Sequence, residues 1–168
     1  TPGSPDYFSP YYQPPFEAHR PPDNLRGYEH AYDGVAYFGF GVVDLRIVRD
    51  KEYMQTELLD TLIAGRKYEV EFYLSLADSF HLALAPEDIQ VAFRQDLIPD
   101  DSGNIVRRLS PAYASDTAWD ATNKVGWEKF HYTYTALGNE SVIVIGCFKD
   151  NSQNTITNVG NGGELNFF

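Results

Sequence analysis

The stretch YEVEFYLSLA at 68–77 decides the fold class. Tyr68, Val70, Phe72, Leu74 and Leu76 fall on one side of an extended chain, and Glu69, Glu71, Tyr73 and Ser75 on the other. Successive side chains of a strand point to opposite faces, so this alternation predicts a strand buried on one face, as antiparallel sheets use. Outward from it, IQVAFRQ at 89–95 repeats the pattern through Ile89, Val91 and Phe93, and FHYTYTA at 130–136 through Phe130, Tyr132 and Tyr134. SVIVIGCF at 141–148 is an unbroken apolar run, the mark of a strand buried on both faces, and Leu137-Gly138-Asn139-Glu140 turns the chain into it. AYDGVAYFGFGVVDLRIVR at 31–49 is strand-like, with glycines at 34, 39 and 41 marking turns or close backbone approach. PDDSGN at 99–104 is a turn, 150–163 an Asn/Gly-rich loop, and ELNFF at 164–168 opens a further strand. Many strands, long loops and little helix predict an all-β protein, an antiparallel two-sheet sandwich.

Two segments resist the pattern. Met54, Leu58, Leu59, Leu62 and Ile63 match helical spacing, with Ala64-Gly65 as a terminator; a strand over 53–58 followed by a turn is the alternative. Residues 1–27 hold seven of the ten prolines, which remove ladder donors, yet Tyr7, Phe8, Tyr11, Tyr12 and Phe16 are interleaved with them. A linker seldom carries so many rings, so the segment reads as an ordered, irregular loop laid across a hydrophobic surface.

At 168 residues the chain is one domain's worth of protein, with 43% hydrophobic and 22% charged residues, too apolar for disorder. A net charge of -11 disfavours nucleic acid and anionic membrane surfaces as partners. No apolar run reaches the roughly 18 residues of a spanning helix, so no membrane insertion is expected. The single cysteine, Cys147, rules out an intrachain disulfide and sits in an apolar strand as a small hydrophobe.

Three blocks together resemble a known family. PPDNLRGYEHAYDGVAYFGF at 21–40 matches a Pro-x-Asn-x-x-Gly-Tyr-x-x-Ala-x-x-Gly-x-Ala-Tyr-x-Gly pattern; KEYMQTELLDTLIAGRKYEVEFYLSLAD at 51–78 matches a Glu-Tyr…Leu…Gly-x-x-Tyr-x-Val-x-Phe pattern; GWEKFHYTYTALGNESVIVIGCF at 126–148 matches Trp…Phe…Ala-x-Gly-x-Glu…Ile-Gly-x-Phe. These are similar to carbohydrate-binding-module-like jelly rolls of the galactose-binding-like superfamily. Such domains occur in exported surface proteins of gliding-type Gram-negative bacteria, often joined to an OmpA-like or a type IX sorting domain. The resemblance implies a single jelly-roll domain over 1–168, with 1–27 packed on it, and a strand and turn over 53–63. It also implies an extracytoplasmic place: cell surface, outer-membrane-associated or secreted. The family's usual first strand, Asn-x-Ser/Asp-Phe-Glu, and its last, ending Ile-Asp-Asp-Val, are not in this sequence, so the chain reads as part of a larger polypeptide. The acidic ends through which related modules hold a structural calcium are missing with them.

The side chains that could carry chemistry are few. Glu69 and Glu71 sit two apart on one strand face, a solvated pair rather than the cleft-flanking carboxylates of a glycosidase. His19, His30, His81 and His131 show no metal-binding spacing, and neither a G-x-S-x-G elbow nor a phosphate-binding glycine loop occurs. Asp96, Asp100 and Asp101, near Ser102 and Asn104, offer oxygen ligands of the kind calcium takes, against the plainer reading of an Asp/Asn-capped turn. No cofactor is required. Sugar recognition needs flat rings flanked by hydrogen-bonding side chains. Trp119 in the polar loop SDTAWDATN (115–123) is the foremost ring, as a ligand contact or as a pin for its own loop; Tyr113 lies in a similar loop, and Arg94 and Tyr73 point off the core faces of their strands. The expected function is a non-catalytic carbohydrate-binding module, or else a structural module that docks another surface protein through its aromatic N-terminal segment.

Overall fold

The computed structural model describes residues 5–42, 51–99 and 109–160. Among these residues the chain is all-β, every strand pairing is antiparallel, and the only helical turns are single 3-10 turns at Glu17–His19, Pro86–Asp88 and Asn151–Gln153. The strands are β1 (Asp6–Phe8), β2 (Asp23–Asn24), β3 (Gly27–Tyr28), β4 (Tyr37–Gly39), β5 (Met54–Glu57), β6 (Lys67–Leu74), β7 (Leu82–Leu84), β8 (Gln90–Arg94), β9 (Tyr113–Ala114), β10 (Glu128–Thr135), β11 (Val142–Gly146) and β12 (Ile156–Asn158). One sheet runs β5-β11-β8-β9; β6 and β10 form a long ribbon; β1-β4, β7-β12 and β2-β3 are short pairs.

The deciding stretch behaves as its alternation requires. β6 pairs with β10 from Lys67↔Thr135 to Leu74↔Glu128, which puts Tyr68, Val70, Phe72, Phe130 and Tyr134 on one face. Val70, Leu74, Phe130 and Tyr134 are buried, Tyr68 and Phe72 half-buried, and Glu69 and Glu71 exposed. Ser75 departs from the expectation: it is buried beyond the end of β6, its hydroxyl 3.3 Å from the Glu29 carboxylate. The ribbon lays its apolar face on the four-stranded sheet, where Tyr134 stacks on Phe93 with centroids 3.9 Å apart. Phe72 and Phe130 stack within the ribbon at 4.3 Å. The outcome is a layered, sandwich-like core holding Val91, Ile89, Phe40 and Leu84.

The four-stranded sheet is covered on its other face too. The pleat turns Ala92, Val142 and Val144 away from the ribbon, into a second small core with Ile98, Leu109 and Phe148. That explains the unbroken apolar run of β11.

The strand and turn that the resemblance implies over 53–63 are present: residues 54–57 form a strand on β11 and no helix follows, and Leu59 and Ile63 point into solvent, so the helical spacing marks no buried face. Two other expectations are corrected. Within 31–42 only Tyr37–Gly39 is a strand, because Gly34 at positive φ turns the chain just before it; 43–49 lies outside the described residues, as do Asp100, Asp101 and ELNFF. The N-terminal segment is less irregular than its prolines suggest. Asp6–Phe8 pairs with β4, the Ser9 N–H donates to the His19 carbonyl at 3.0 Å, and Phe8 is wholly buried, stacked on Tyr37 at 5.2 Å.

Glycines mark where backbone must come close. A Cβ on Gly27 (φ +142°) would lie 2.5 Å from the Asp78 side chain, whose carboxylate accepts the Tyr28 N–H at 2.9 Å. A Cβ on Gly146 would lie 2.5 Å from the Tyr53 ring, which stacks on Phe148 at 5.6 Å.

Phe8 tests whether the N-terminal segment belongs to the core. Phe8→Ala should cost about 3–5 kcal/mol, the range for deleting a buried ring, whereas Tyr11→Ala, at a side chain 75% exposed, should change stability by less than about 0.5 kcal/mol. Urea melts of both variants measure this; equal midpoints would show that 5–12 lies outside the cooperative core.

Candidate functional site

Two crossings between the layers frame the site. At the first, the chain leaves β9 and lies along the edge of β10: the Asp116 N–H donates to the His131 carbonyl at 2.8 Å, and the Asp116 carboxylate accepts the Thr133 N–H at 2.9 Å. At the second, residues 136–141 carry the chain from β10 of the ribbon to β11 of the sheet. Between them, at the end of β8, is an open groove of about 160 Å³. Phe93, Tyr113, Tyr134 and Leu137 give it apolar walls, and Gln95 and Glu140 stand at its polar margin.

Glu140 holds the second crossing. It is 5% exposed, and its carboxylate accepts the Tyr134 hydroxyl at 2.5 Å and the N–H groups of Leu137 and Gly138 at 2.7 Å each. Burial works against its charge, but the Tyr134 hydroxyl and the backbone N–H donors outweigh burial and hold the carboxyl below its ordinary range. The same turn receives the Leu62 and Asn139 backbone bonds, Leu62 N–H to Glu140 O at 2.8 Å and Asn139 N–H to Leu62 O at 3.2 Å. The wall of the groove is therefore rigid before any ligand arrives.

His131 holds the first crossing. Its Nδ1 lies 2.6 Å from Asp116 and its Nε2 2.7 Å from Glu69 on β6. The hydrogen bond to Asp116, joined by that to Glu69, raises the imidazole pKa, and the same bond lowers that of Asp116. Lys129 pairs with Glu71 beside them, so the outward face of the ribbon is spent on its own cross-strand pairs.

The four expected ligand residues separate. Tyr113 lines the groove, stacked on Tyr132 at 4.9 Å. Arg94 borders it, but the pleat sets its side chain on the Ala92 face, opposite Phe93, and its Nε is buried with no partner among the described residues. Tyr73 is on the outward face of the ribbon, its ring covered by Tyr32 at 3.5 Å, so it offers no open platform. Trp119 packs inward beside Phe40, Leu74 and Ile89 and pins its own loop. Asp96 is exposed; its expected companions lie outside the described residues. Among the described residues no group of His, Cys, Asp or Glu is arranged to hold a metal ion, and no helix is long and apolar enough to cross a membrane.

No family model, curated protein or solved structure matches the chain. The site must be read from its own geometry. Phe93, Tyr134, Leu137, Gln95 and Glu140 were not singled out by composition, although Glu140 stands in the Ala-x-Gly-x-Glu block at 136–140.

Two measurements test the crossings. Glu140→Gln leaves an amide facing three donors and should cost about 1–3 kcal/mol. The folded pKa of Glu140 is depressed, so its contribution is complete above the ordinary value of 4.5 and disappears as pH falls through the lower folded value. His131 runs the other way: its folded pKa is raised, so its contribution is complete below the ordinary 6.5 and is lost as pH rises through the folded value. Chemical denaturation across pH 3–9 should show both slopes, the first shallower in Glu140→Gln, with Asp116 and Asp120 still contributing to it, and the second absent in His131→Gln.

Proposed function

We propose that this chain is a non-catalytic carbohydrate-binding module, a jelly-roll sandwich that works outside the cytoplasm at a bacterial cell surface. The observation that carries this reading is the groove at the end of β8: a preformed concavity whose lining mixes ring and aliphatic walls with the hydrogen-bonding groups of Gln95 and Glu140. Sugars present apolar C–H faces and polar rims, and such a lining answers both. The carboxylate in the groove lining supports binding rather than turnover: Glu140 is saturated by three donors and is not poised as an acid or base for a substrate. With a net charge of -11, glycans or proteins are the partners, not nucleic acid.

A second reading, docking to another surface protein, is favoured by a different observation. Tyr7, Tyr11, Phe16 and Phe38 are all more than 40% exposed on the N-terminal region, more ring surface than a polar exterior needs.

A glycan array probed with the wild-type chain and with Leu137→Asp separates the two. Leu137 is 73% exposed at the groove, so the variant keeps the fold. The expected result is a discrete set of bound glycans whose signal falls at least about tenfold in the variant. Silence across the array overturns the carbohydrate reading and leaves the docking one.

A further inference from the structure

The shape and charge of the groove narrow its ligand, and the following rests on the carbohydrate reading above. We propose that the groove takes one uncharged pyranose at the tip of a glycan, a chain end or a branch, and not the interior of a polysaccharide.

Size is the first ground. The groove holds about 160 Å³, below the roughly 300–1,000 Å³ of clefts that enclose drug-sized ligands. It is room for a single ring.

Rigidity is the second. A small groove could lengthen if its walls moved, but both walls are tied down. On one side the turn at 136–140 is fixed by three donors to Glu140, by the bonds to Leu62, and by Gly65 N–H to Ala136 O at 2.8 Å. A Cβ on Gly138 would sit 2.9 Å from that of Ala64, so the turn packs closely against the loop before β6. On the other side Tyr113 is wedged between Tyr132 and Tyr134, with centroids 4.9 and 5.4 Å away. A preformed site of fixed length binds a ring without an ordering cost and offers no further contacts to added residues.

Charge is the third. The cation bordering the groove, Arg94, has its side chain on the opposite face of the sheet. Glu140 lies in the lining, and Asp96 is exposed one residue beyond Gln95. Among the described residues, a uronate or sialate carboxylate would meet negative charge with no cation on that face of the sheet, whereas a neutral ring would not. The exposed Gln95 amide supplies both a donor and an acceptor for sugar hydroxyls, which are themselves both.

The test uses the 168-residue chain bound to an immobilised array glycan, with competitors of defined chemistry: the methyl glycoside of the tip sugar, the corresponding oligosaccharide of three and four residues, and methyl glucuronide and galacturonide. The methyl glycoside should compete within about threefold of the oligosaccharides, the uronides at least about tenfold more weakly, and Gln95→Ala, at an exposed side chain, should weaken retention about fivefold. Competition that strengthens with each added residue, with the monosaccharide inert, overturns the single-ring site. Uronides that compete as well as neutral sugars overturn the charge argument. Unchanged retention in both Gln95→Ala and Leu137→Asp overturns the placement while glycan binding itself stands. If no array glycan is bound, the carbohydrate reading falls and this inference falls with it.

Discussion

The hydroxyl of Tyr134 and the carboxylate of Glu140, 2.5 Å apart, hold together most of what lies around them. The ring of Tyr134 stacks on Phe93, joining ribbon to sheet; its hydroxyl reaches the buried carboxylate that fixes the passage from β10 to β11. Burying a carboxylate is costly unless each lone pair finds a donor. Here three donors come from within six residues of chain, so the group stays charged and the turn has a single conformation. The loop before β6 then leans on that turn through Leu62 and Gly65. One buried charge thus sets the distance between the layers at this end of the molecule, and the groove is the space that distance leaves.

The opposite wall shows how an all-β protein closes an edge. β10 would present unpaired backbone along its free side, but the chain leaving β9 covers it at His131 and Thr133. Farther on, the Asp120 N–H and the Asn123 amide turn to Glu128 at 3.3 and 2.7 Å. An edge dressed in this way offers little to a foreign strand. Trp119 sits in the middle of that dressing and anchors it from below.

Much of the fold was legible in the sequence because period-2 alternation is a local property with a global cause. The alternation of 68–74 and 130–134 matches the register of β6 on β10 residue for residue. Arg94 shows its limit: alternation put it off the Phe93 face, but could not reveal that the reverse face is a second core, since Ala92 is too small to announce burial. At 54–63 pattern alone left helix and strand open and only the resemblance chose the strand, because the hydrogen bonds of Met54–Glu57 are supplied by β11, some ninety residues away, and Leu59 and Ile63 needed no shelter. Trp119 took the second of its two expected roles, the pin for its own loop. Its polar neighbours satisfy one another, Asp120 accepting from both the N–H and the hydroxyl of Thr122, which frees the ring to turn inward. The groove itself was only half visible: Tyr113 stood out as a ring in a polar loop, whereas the walls that complete it come from strands whose residues read as ordinary core.

The contact between Gly146 and Tyr53 has a consequence for how this sequence can drift. The ring occupies the volume that any side chain at 146 would need, and its hydroxyl is fixed on the Cys147 carbonyl at 3.2 Å. Neither position can change size first without a clash or a void. Over evolutionary time the two sites should behave as one locus: lineages that keep the glycine keep the tyrosine, and a lineage that enlarges residue 146 will have first shortened residue 53, passing through a destabilised intermediate that selection tolerates only if the rest of the core has stability to spare.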